Sequence, residues 1–169
     1  MRYWRAFLGE PPGRMFLQWG DLPLGLKEWV QPPGTWRVVL YNHDGLARIN
    51  GRSYDFTAGK GLIVPPYANC SHAHVGPPSL VVSAHFDFPA TEEKPVALPV
   101  QFDYSQEWYD LLWNAGEYGM GGAERGKALV WHILWTVSEP LSVLRTQSAI
   151  YEMCIRDRSS PERIMSSAS

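Results

Sequence analysis

Cysteine is scarce in this chain of 169 residues, and its scarcity excludes two kinds of small protein. The two cysteines, Cys70 and Cys154, lie far apart in the sequence. A disulfide framework needs several cysteines at short spacings, and a zinc site of the Cys-x-x-Cys kind needs a close pair. We therefore expect neither a disulfide-stapled fold nor such a zinc site.

Long apolar runs and blocks of basic residues are also missing. The N-terminus, Met1–Arg5, leads into a glycine- and proline-rich stretch rather than into the apolar centre of a signal peptide. No run is long enough to cross a membrane. The 15 Lys and Arg are outnumbered by 17 Asp and Glu, giving a net charge of −2. We therefore expect a cytoplasmic protein, with no nucleic-acid interface in this chain.

Aromatic residues, by contrast, are abundant. The hydrophobic fraction of 45% supports a real core in one domain of ordinary size, and 8 Trp and 8 Tyr are many for this length. One interpretation is a well-packed β core. The other is an aromatic-lined pocket for a sugar or a similar small ligand, because Trp and Tyr combine a flat apolar face with a polar group.

The most informative run is the segment 50–66. It begins with Asn50-Gly51, a strong signal for a tight hairpin because both turn positions need positive φ. Gly59 then turns the chain into a short apolar strand, and this strand stops at Pro65-Pro66. Such closely spaced short strands are typical of a small β-barrel.

Further strands follow from β-branched, aromatic and alternating patterns. The predicted strands are Trp36–Tyr41, Leu46–Asn50, Arg52–Phe56, Gly61–Val64 and Leu80–Phe88. In the last of these, Val81, Ser83, His85 and Asp87 share one face, and Leu80, Val82, Ala84, Phe86 and Phe88 share the other. The proline-broken region Arg2–Gly34 predicts short edge strands and loops, and Phe88–Pro99 predicts a loop.

Two helices are expected after the strands. Trp108, Leu111 and Leu112 fit a helix face behind an N-cap at Ser105, and Ala128–Val137 is apolar nearly all round. Between them, Gly116–Gly126 reads as a glycine-rich break.

Residues 50–66 resemble the cupin motif in which a glycine hairpin precedes a strand ending in Pro-Pro. The resemblance implies a mainly β protein: a cupin-like double-stranded β-helix, or jelly-roll barrel, followed by one or two C-terminal α-helices. Metal-dependent cupins carry a His-x-His with a Glu in a first motif and a His after the Pro-Pro stop in a second. Here the first region has one histidine, His43, and the family histidine of the second falls at Cys70.

The pair His72 and His74 is the remaining candidate for a metal. A His-x-His on a strand points both imidazoles to one face and could hold Zn, Fe or Mn, but a metal catalyst also needs a third ligand. We expect no metal, no cofactor and no catalytic residue. The alternatives are a stand-alone metal-dependent cupin enzyme and a metal-free carbohydrate-binding cupin.

The order and spacing of these features, together with "His85-Phe86" and the late helix, resemble the N-terminal ligand-binding and dimerisation domain of AraC-type transcriptional regulators. The resemblance covers roughly Trp4 to Pro140. It implies a sensor without enzymatic activity whose helix-turn-helix DNA-binding domain is missing from this chain. The expected ligand is a small molecule, in particular a sugar, bound in the barrel by Trp36, Arg37, Arg48, His72, His74 and His85.

The same resemblance implies a homodimer through the late helix. The helix is too apolar for one barrel face to cover it, and soluble monomers rarely expose such a patch. The expected contact residues are Leu129, Trp131, Ile133, Leu134 and Trp135.

The C-terminal tail has its own explanation. Residues Met153 to Arg158 spell Met-Cys-Ile-Arg-Asp-Arg, which matches the translated end of a transposon adapter used in sequencing libraries; the alternative is a genuine polar linker. On the adapter interpretation, the natural sequence is lost from about Tyr151. We therefore divide the chain into a sensor barrel (1–103), a helical dimerisation segment (104–145) and a disordered or artefactual tail (146–169).

Overall fold

The protein is described by a computed structural model over residues 2–22, 25–29, 32–74, 79–89, 95–117, 120–140 and 151–152. The strands are β1 Tyr3–Ala6, β2 Met15–Leu22, β3 Gly25–Trp29, β4 Trp36–Tyr41, β5 Gly45–Ile49, β6 Arg52–Phe56, β7 Lys60–Val64, β8 Cys70–His74, β9 Ser79–Phe86, β10 Val96–Pro99, β11 Gln101–Asp103, β12 Glu139–Pro140 and β13 Tyr151–Glu152. The helices are α1 Gln106–Glu117 and α2 Met120–Val137.

Strands β2 to β9, together with β11, form a jelly roll. Sheet I has the order β11-β7-β4-β9-β2 and sheet II the order β3-β8-β5-β6, with antiparallel pairing throughout. The chain passes between the two sheets in the way that defines a double-sheet Greek-key barrel. A third sheet, β12-β10-β1-β13, adds to this core. The predicted fold class, a mainly β jelly-roll barrel followed by α-helices, is confirmed.

The hairpin signal of the sequence is also confirmed. Strands β5 and β6 are joined at Asn50 and Gly51, whose φ angles are 50° and 79°. Both lie in the left-handed region that the tight turn requires. The strand Trp36–Tyr41 has the predicted bounds.

Two proline-rich regions contain more strand than the sequence predicted. Within the region expected to hold only short strands and loops, β2 runs for 8 residues at the edge of sheet I. Within the predicted loop Phe88–Pro99, Val96–Pro99 is strand β10 and pairs with β1. A proline is tolerated there because Pro99 ends the strand, where the missing N–H costs little.

The predicted glycine-rich break is wrong for most of its length. Helix α1 reaches Glu117 and α2 already begins at Met120, while residues 118 and 119 lie outside the described residues. The glycines allow close packing instead. A Cβ on Gly126 would lie 2.6 Å from Cε of Met15, and one on Gly116 would lie 2.7 Å from the ring of Trp19. Both contacts are with β2, so the helices approach sheet I closely.

The two faces of sheet I have different coverings. Met15, Leu17 and Trp19 on β2 belong to the face that meets α1 and α2. On the neighbouring strands this outer face carries Ala84 and Phe86. The inner face, one residue out of phase along each strand, looks across the barrel towards sheet II. All side chains of the central strand β4 are buried, so both faces of the sheet are shielded from solvent at its centre.

The proposed division into three segments stays a prediction. Strand β11 ends at Asp103 and α1 begins at Gln106, close to the first boundary. Strands β12 and β13 both return to the third sheet. Of the predicted tail 146–169, the structure describes Tyr151–Glu152 alone.

Candidate ligand-binding interior

Five polar side chains meet between sheets I and II. We call them the inner polar cluster. They are at most 5% exposed and comprise Arg37, Tyr41, Cys70, His72 and His85. Sheet I supplies three of them from β4 and β9, and sheet II supplies the other two from β8.

The strand register explains this convergence. Arg37 and Tyr41 are four residues apart on β4 and therefore share a face, and Arg37 lies directly opposite His85 on β9. On β8, Cys70 and His72 are two residues apart and also share a face. The interior of a small barrel is usually filled by apolar side chains, so this concentration of polar groups is the feature that needs a functional explanation.

His72 bridges the two sheets through both of its ring nitrogens. Its Nδ1 lies 2.6 Å from Oη of Tyr41, and its Nε2 lies 3.2 Å from Sγ of Cys70. The Tyr41 ring is held in turn by stacking on Phe56, with ring centroids 3.7 Å apart. This geometry fixes the orientation of the imidazole.

Burial keeps most of the cluster neutral. Desolvation raises the pKa of Cys70 to about 11 and raises the pKa of Tyr41, so both keep their protons at neutral pH. Desolvation, followed by the charge of Arg37, lowers the pKa of His72 to about 3. Burial lowers the pKa of Arg37 itself to about 10, which leaves the guanidinium charged at pH 7. Arg37 is thus the one formal charge of the cluster.

His85 stacks on Phe16, with ring centroids 4.9 Å apart and planes 4° from parallel. Both of its ring nitrogens are buried, and neither has a hydrogen-bond partner among the described residues. Desolvation and the charge of Arg37 lower the pKa of His85 to about 3. Buried polar atoms without a partner are rare in folded proteins, so the two nitrogens mark a place where a ligand group would be stabilised.

A second histidine pair lies further along the barrel. The rings of His43 and His74 are perpendicular, with centroids 4.4 Å apart, and Nδ1 of His74 lies 3.3 Å from the carbonyl oxygen of Asp44. Burial, followed by the nearby His74, lowers the pKa of His43 to about 4. His43 is therefore neutral at pH 7, and its ring lies beside the Tyr41–Phe56 stack.

The six predicted ligand residues separate into two groups. Arg37, His72, His74 and His85 are buried in the barrel. Trp36 lies on the outer face of β4 and meets the ring of Phe88, and Arg48 is exposed on β5. Alternation along a strand makes each neighbouring residue face the opposite way, which is why Trp36 points away from Arg37. A binding role stays a prediction for all six.

Sequence reasoning missed Tyr41 and Cys70 as members of this cluster. The signal was present, because each is an even number of residues from a predicted site residue on the same strand. In the sequence, Cys70 was noted only because it stands at the position where the cupin motif has a histidine.

The residues of the interior do not fit a metal. Both nitrogens of His72 already face Tyr41 and Cys70. Over the described ranges, no three His, Cys, Asp or Glu side chains converge on one point. A catalytic metal needs about three protein ligands and an open position.

A separate groove of about 700 Å³ lies where sheets I and II meet at their edges. There, Nε2 of Gln101 on β11 donates a 2.6 Å hydrogen bond to the carbonyl oxygen of Asp55 on β6. The Tyr54 hydroxyl is buried in the same region, and no described residue is its hydrogen-bond partner. The groove is lined by Arg2, Arg52, Ser53, Tyr54, Lys60, Val100, Gln101, Phe102 and Asp103.

The late helix buries more of its surface within its own chain than the sequence suggested. Of the predicted dimer residues, Ile133 and Leu134 are fully buried, and Trp131 is half-buried with its ring near Phe88. Leu129 packs partly on the core. Trp135 is 46% exposed and is the member best placed to meet a partner.

Neither α1 nor α2, the helices of the described region, combines the length and apolar character needed to cross a membrane. The sequence matches no protein-family model and no curated protein.

Several solved structures resemble this chain at low sequence identity. KdgF from Halomonas sp. is 12% identical, with a TM-score of 0.39 over 47% of this chain and 73% of that one. An RmlC-like cupin from Shewanella frigidimarina is 16% identical, with a TM-score of 0.37 over 46% and 68%. The cupin domain of Schizosaccharomyces pombe Cnp3 is 14% identical, with a TM-score of 0.39 over 51% and 64%.

Proposed function

We propose that this protein is the ligand-sensing and dimerisation domain of a cytoplasmic AraC-type transcriptional regulator. A small polar molecule, such as a sugar, binds between sheets I and II. In the parent protein this binding biases how the DNA-binding domains are presented, which requires that the ligand prefer one of two arrangements. The chain itself has no enzymatic role.

The observation that carries the proposal is the inner polar cluster. A guanidinium, a phenol, a thiol and two imidazoles occupy the space between two sheets that apolar side chains could fill. Burying polar groups costs stability, and neither ring nitrogen of His85 has a hydrogen-bond partner among the described residues, which supports a binding site over a purely structural interior. Helices α1 and α2 pack on the outer face of sheet I, so a shift of this sheet on ligand binding would also move the helices.

The same cluster argues against the metal-enzyme alternative. His72, the histidine on which that alternative depends, is held between Tyr41 and Cys70. The metal-free carbohydrate-binding alternative would bind its ligand at the same residues as the sensor and differs in the consequence of binding. A sensor changes its dimerisation equilibrium when the ligand binds, whereas a simple binding module does not.

The test is a thermal-shift screen of the full chain against sugars, sugar acids and aromatic metabolites. A ligand that binds the folded state raises the melting temperature, by an amount that grows with its concentration above Kd. Hits are then followed by sedimentation at several protein concentrations. A ligand that raises the melting temperature and also shifts the dimerisation constant supports the sensor. Absence of any hit would remove the main support, and turnover of a compound with bound metal would establish the enzyme instead.

DNA binding gives a second test. The chain is slightly acidic, and the described region has no helix-turn-helix pair. We therefore expect no sequence-specific shift of duplex DNA by residues 1–150. A tight, sequence-specific gel shift would contradict this expectation.

A further inference from the structure

The groove between the edge strands β6 and β11 has the size of a small-molecule site. Its volume is about 700 Å³, and ligand pockets commonly measure about 300–1,000 Å³. The residues that line it are all different from those of the inner polar cluster. The groove is therefore a second place at which this barrel could hold a ligand.

The strand register explains why polar side chains meet in this groove. Tyr54 on β6 shares a face with His72, because both lie opposite Ala47 on β5. Pairing through β7 likewise places Gln101 of β11 on the same face of sheet I as Arg37. The last strand of each sheet thus presents inward-facing polar side chains to one groove.

The hydroxyl of Tyr54 is the feature of the groove that needs an explanation. Its oxygen is buried, and no described residue is its hydrogen-bond partner. A phenol can donate one hydrogen bond and accept another, and burying it with neither costs stability. The hydroxyl therefore marks a point in the groove where an oxygen of a ligand would be stabilised.

The charges of the lining favour an anion. Arg2, Arg52 and Lys60 are positive, whereas Asp103 is negative and forms an ion pair with Lys60. The two arginines therefore set the sign of the charge that the lining residues present. A guanidinium carries several N–H donors, so an arginine that holds a group of its own chain can still donate to a ligand. A cation would be repelled from this lining, and an anion would be attracted.

Two neighbouring side chains of β6 supply the donors. Arg52 lies two residues before Tyr54, so the two share a face of the strand, and both line the groove. We propose that the groove binds a small organic anion whose acid group accepts hydrogen bonds from the Arg52 guanidinium and the Tyr54 hydroxyl. A guanidinium pairs with carboxylates and with phosphates in the same forked geometry, so either acid group has the required chemistry. This site is separate from the ligand proposed between sheets I and II and does not depend on it.

Matched pairs of compounds test the proposal on the full chain. Each pair shares a skeleton and differs in the acid group: benzoate with benzamide, galacturonate with galactose, and phenyl phosphate with phenol. Titration calorimetry at pH 7 measures the affinities at low and at high salt. We expect at least one acid to bind at least about tenfold more tightly than its neutral counterpart, and to bind more weakly at high salt. Comparison of the phosphate with the two carboxylates identifies the preferred acid group.

Tyr54→Phe tests the hydroxyl, because it removes one oxygen and keeps the ring. It should weaken binding of the acid at least about fivefold. The melting temperature of the free protein should stay the same or rise, because a buried hydroxyl without a described partner is lost. Tyr67→Phe is the matched control. Tyr67 is 81% exposed and does not line the groove, so this change should leave the affinity unchanged.

Arg52→Gln tests the positive charge and should weaken binding of the acid at least about tenfold. Its control is Arg125→Gln, which removes the same charge from an exposed position of α2 and should leave the affinity unchanged. Equal affinities for acids and their neutral counterparts, or no binding by any acid, would overturn the proposal. An acid that binds Tyr54→Phe and Arg52→Gln as tightly as the unmodified chain would also overturn it, while leaving a ligand between sheets I and II in place.

Discussion

Both faces of sheet I are buried at its central strand β4, and among the described residues the buried polar side chains of this sheet lie on the inner face. On the outer face Val38, Leu40 and Phe86 are fully buried on the side that packs against the helices. On the inner face, one residue along the same strands, lie Arg37, Tyr41 and His85.

The difference indicates which face stabilises the fold and which one we propose to bind a ligand. An apolar side chain against a helix contributes hydrophobic free energy in proportion to the area it buries. A buried imidazole such as that of His85, whose nitrogens have no described partner, costs free energy unless something pairs with it. The inner face is therefore maintained at a cost in stability, as is common for binding sites.

The largest effect should come from the outer face. Phe86→Ala should lower the free energy of unfolding by about 3–5 kcal/mol, because it removes a fully buried ring beside the Phe88 ring and leaves a cavity. Urea unfolding followed by circular dichroism measures the loss. The control is Leu80→Ala in the same strand, where the side chain is 39% exposed and the loss should stay near 1 kcal/mol or below. Because both residues lie on the outer face, equal losses at the two positions would show that the loss does not depend on the burial of the side chain.

Two histidines of the inner polar cluster, His72 and His85, should determine how the free energy of unfolding changes in mild acid. The pKa values of His72 and His85 are lowered to about 3 in the folded protein, against about 6.5 when unfolded. The unfolded state thus binds more protons below pH 6.5. The stability that the neutral imidazoles provide is complete above that pH and is lost as the pH falls towards 3.

Between pH 7 and pH 5 each buried histidine should account for about 1–2 kcal/mol of lost stability. Urea titrations at half-unit pH steps measure this slope. The slope should become shallower in His85→Phe, because this change removes one of the two lowered pKa values. A slope that His85→Phe leaves intact would show that this imidazole does not titrate on unfolding.

At neutral pH, replacing a polar residue of the inner face should change the free energy of unfolding less than Phe86→Ala does, and in the opposite direction. His85→Phe should leave the free energy of unfolding unchanged or raise it by about 1 kcal/mol, since it removes two buried nitrogens without described partners and keeps the contact with Phe16. Its neighbour Phe86→Ala should do the reverse. Chemical denaturation at pH 7 compares the two. A large loss in His85→Phe would indicate that the imidazole is a structural element of the barrel.

The smallest change in stability should come from the exposed end of α2. Replacing Trp135 by Gln should shift the association state towards monomer with little change in unfolding free energy, because the side chain is 46% exposed. Light scattering at tens of micromolar measures the state of both proteins. The double change Trp131→Gln and Trp135→Gln should shift it further at some cost in stability, since Trp131 is half-buried. A monodisperse monomer for the unmodified chain would rule out the dimer interface.

Local patterns predicted much of the barrel correctly. The Asn50-Gly51 turn and the strand Trp36–Tyr41 depend on φ preferences and β-branched side chains, which act within a few residues. The glycines of α2 led to the wrong prediction of a break in the chain. A glycine such as Gly126 disfavours a helix in isolation, but here it lets the helix approach β2. The strand Val96–Pro99 was missed because its stability comes from pairing with β1, a partner distant in sequence.

The candidate site was also predictable from the sequence only in part. Its residue types and the alternation along β9 were visible in the sequence, and so was the pairing of residues two apart on β8. What the sequence could not give is the phase of β4, in which Arg37 faces sheet II and Trp36 faces outward. A shift of one residue exchanges these faces, and the choice depends on strand register across the barrel.

The sequence by itself determined the short strands, the tight turns and the presence of two helices, because these follow from backbone preferences and side-chain periodicity over short distances. The tertiary structure alone decided that Tyr41 and Cys70 hold His72 between two sheets and that Arg37 lies opposite His85. It also decided that Ile133 and Leu134 face their own core while Trp135 remains exposed. These outcomes depend on contacts between segments far apart in the chain, where burial and register are set by the whole fold.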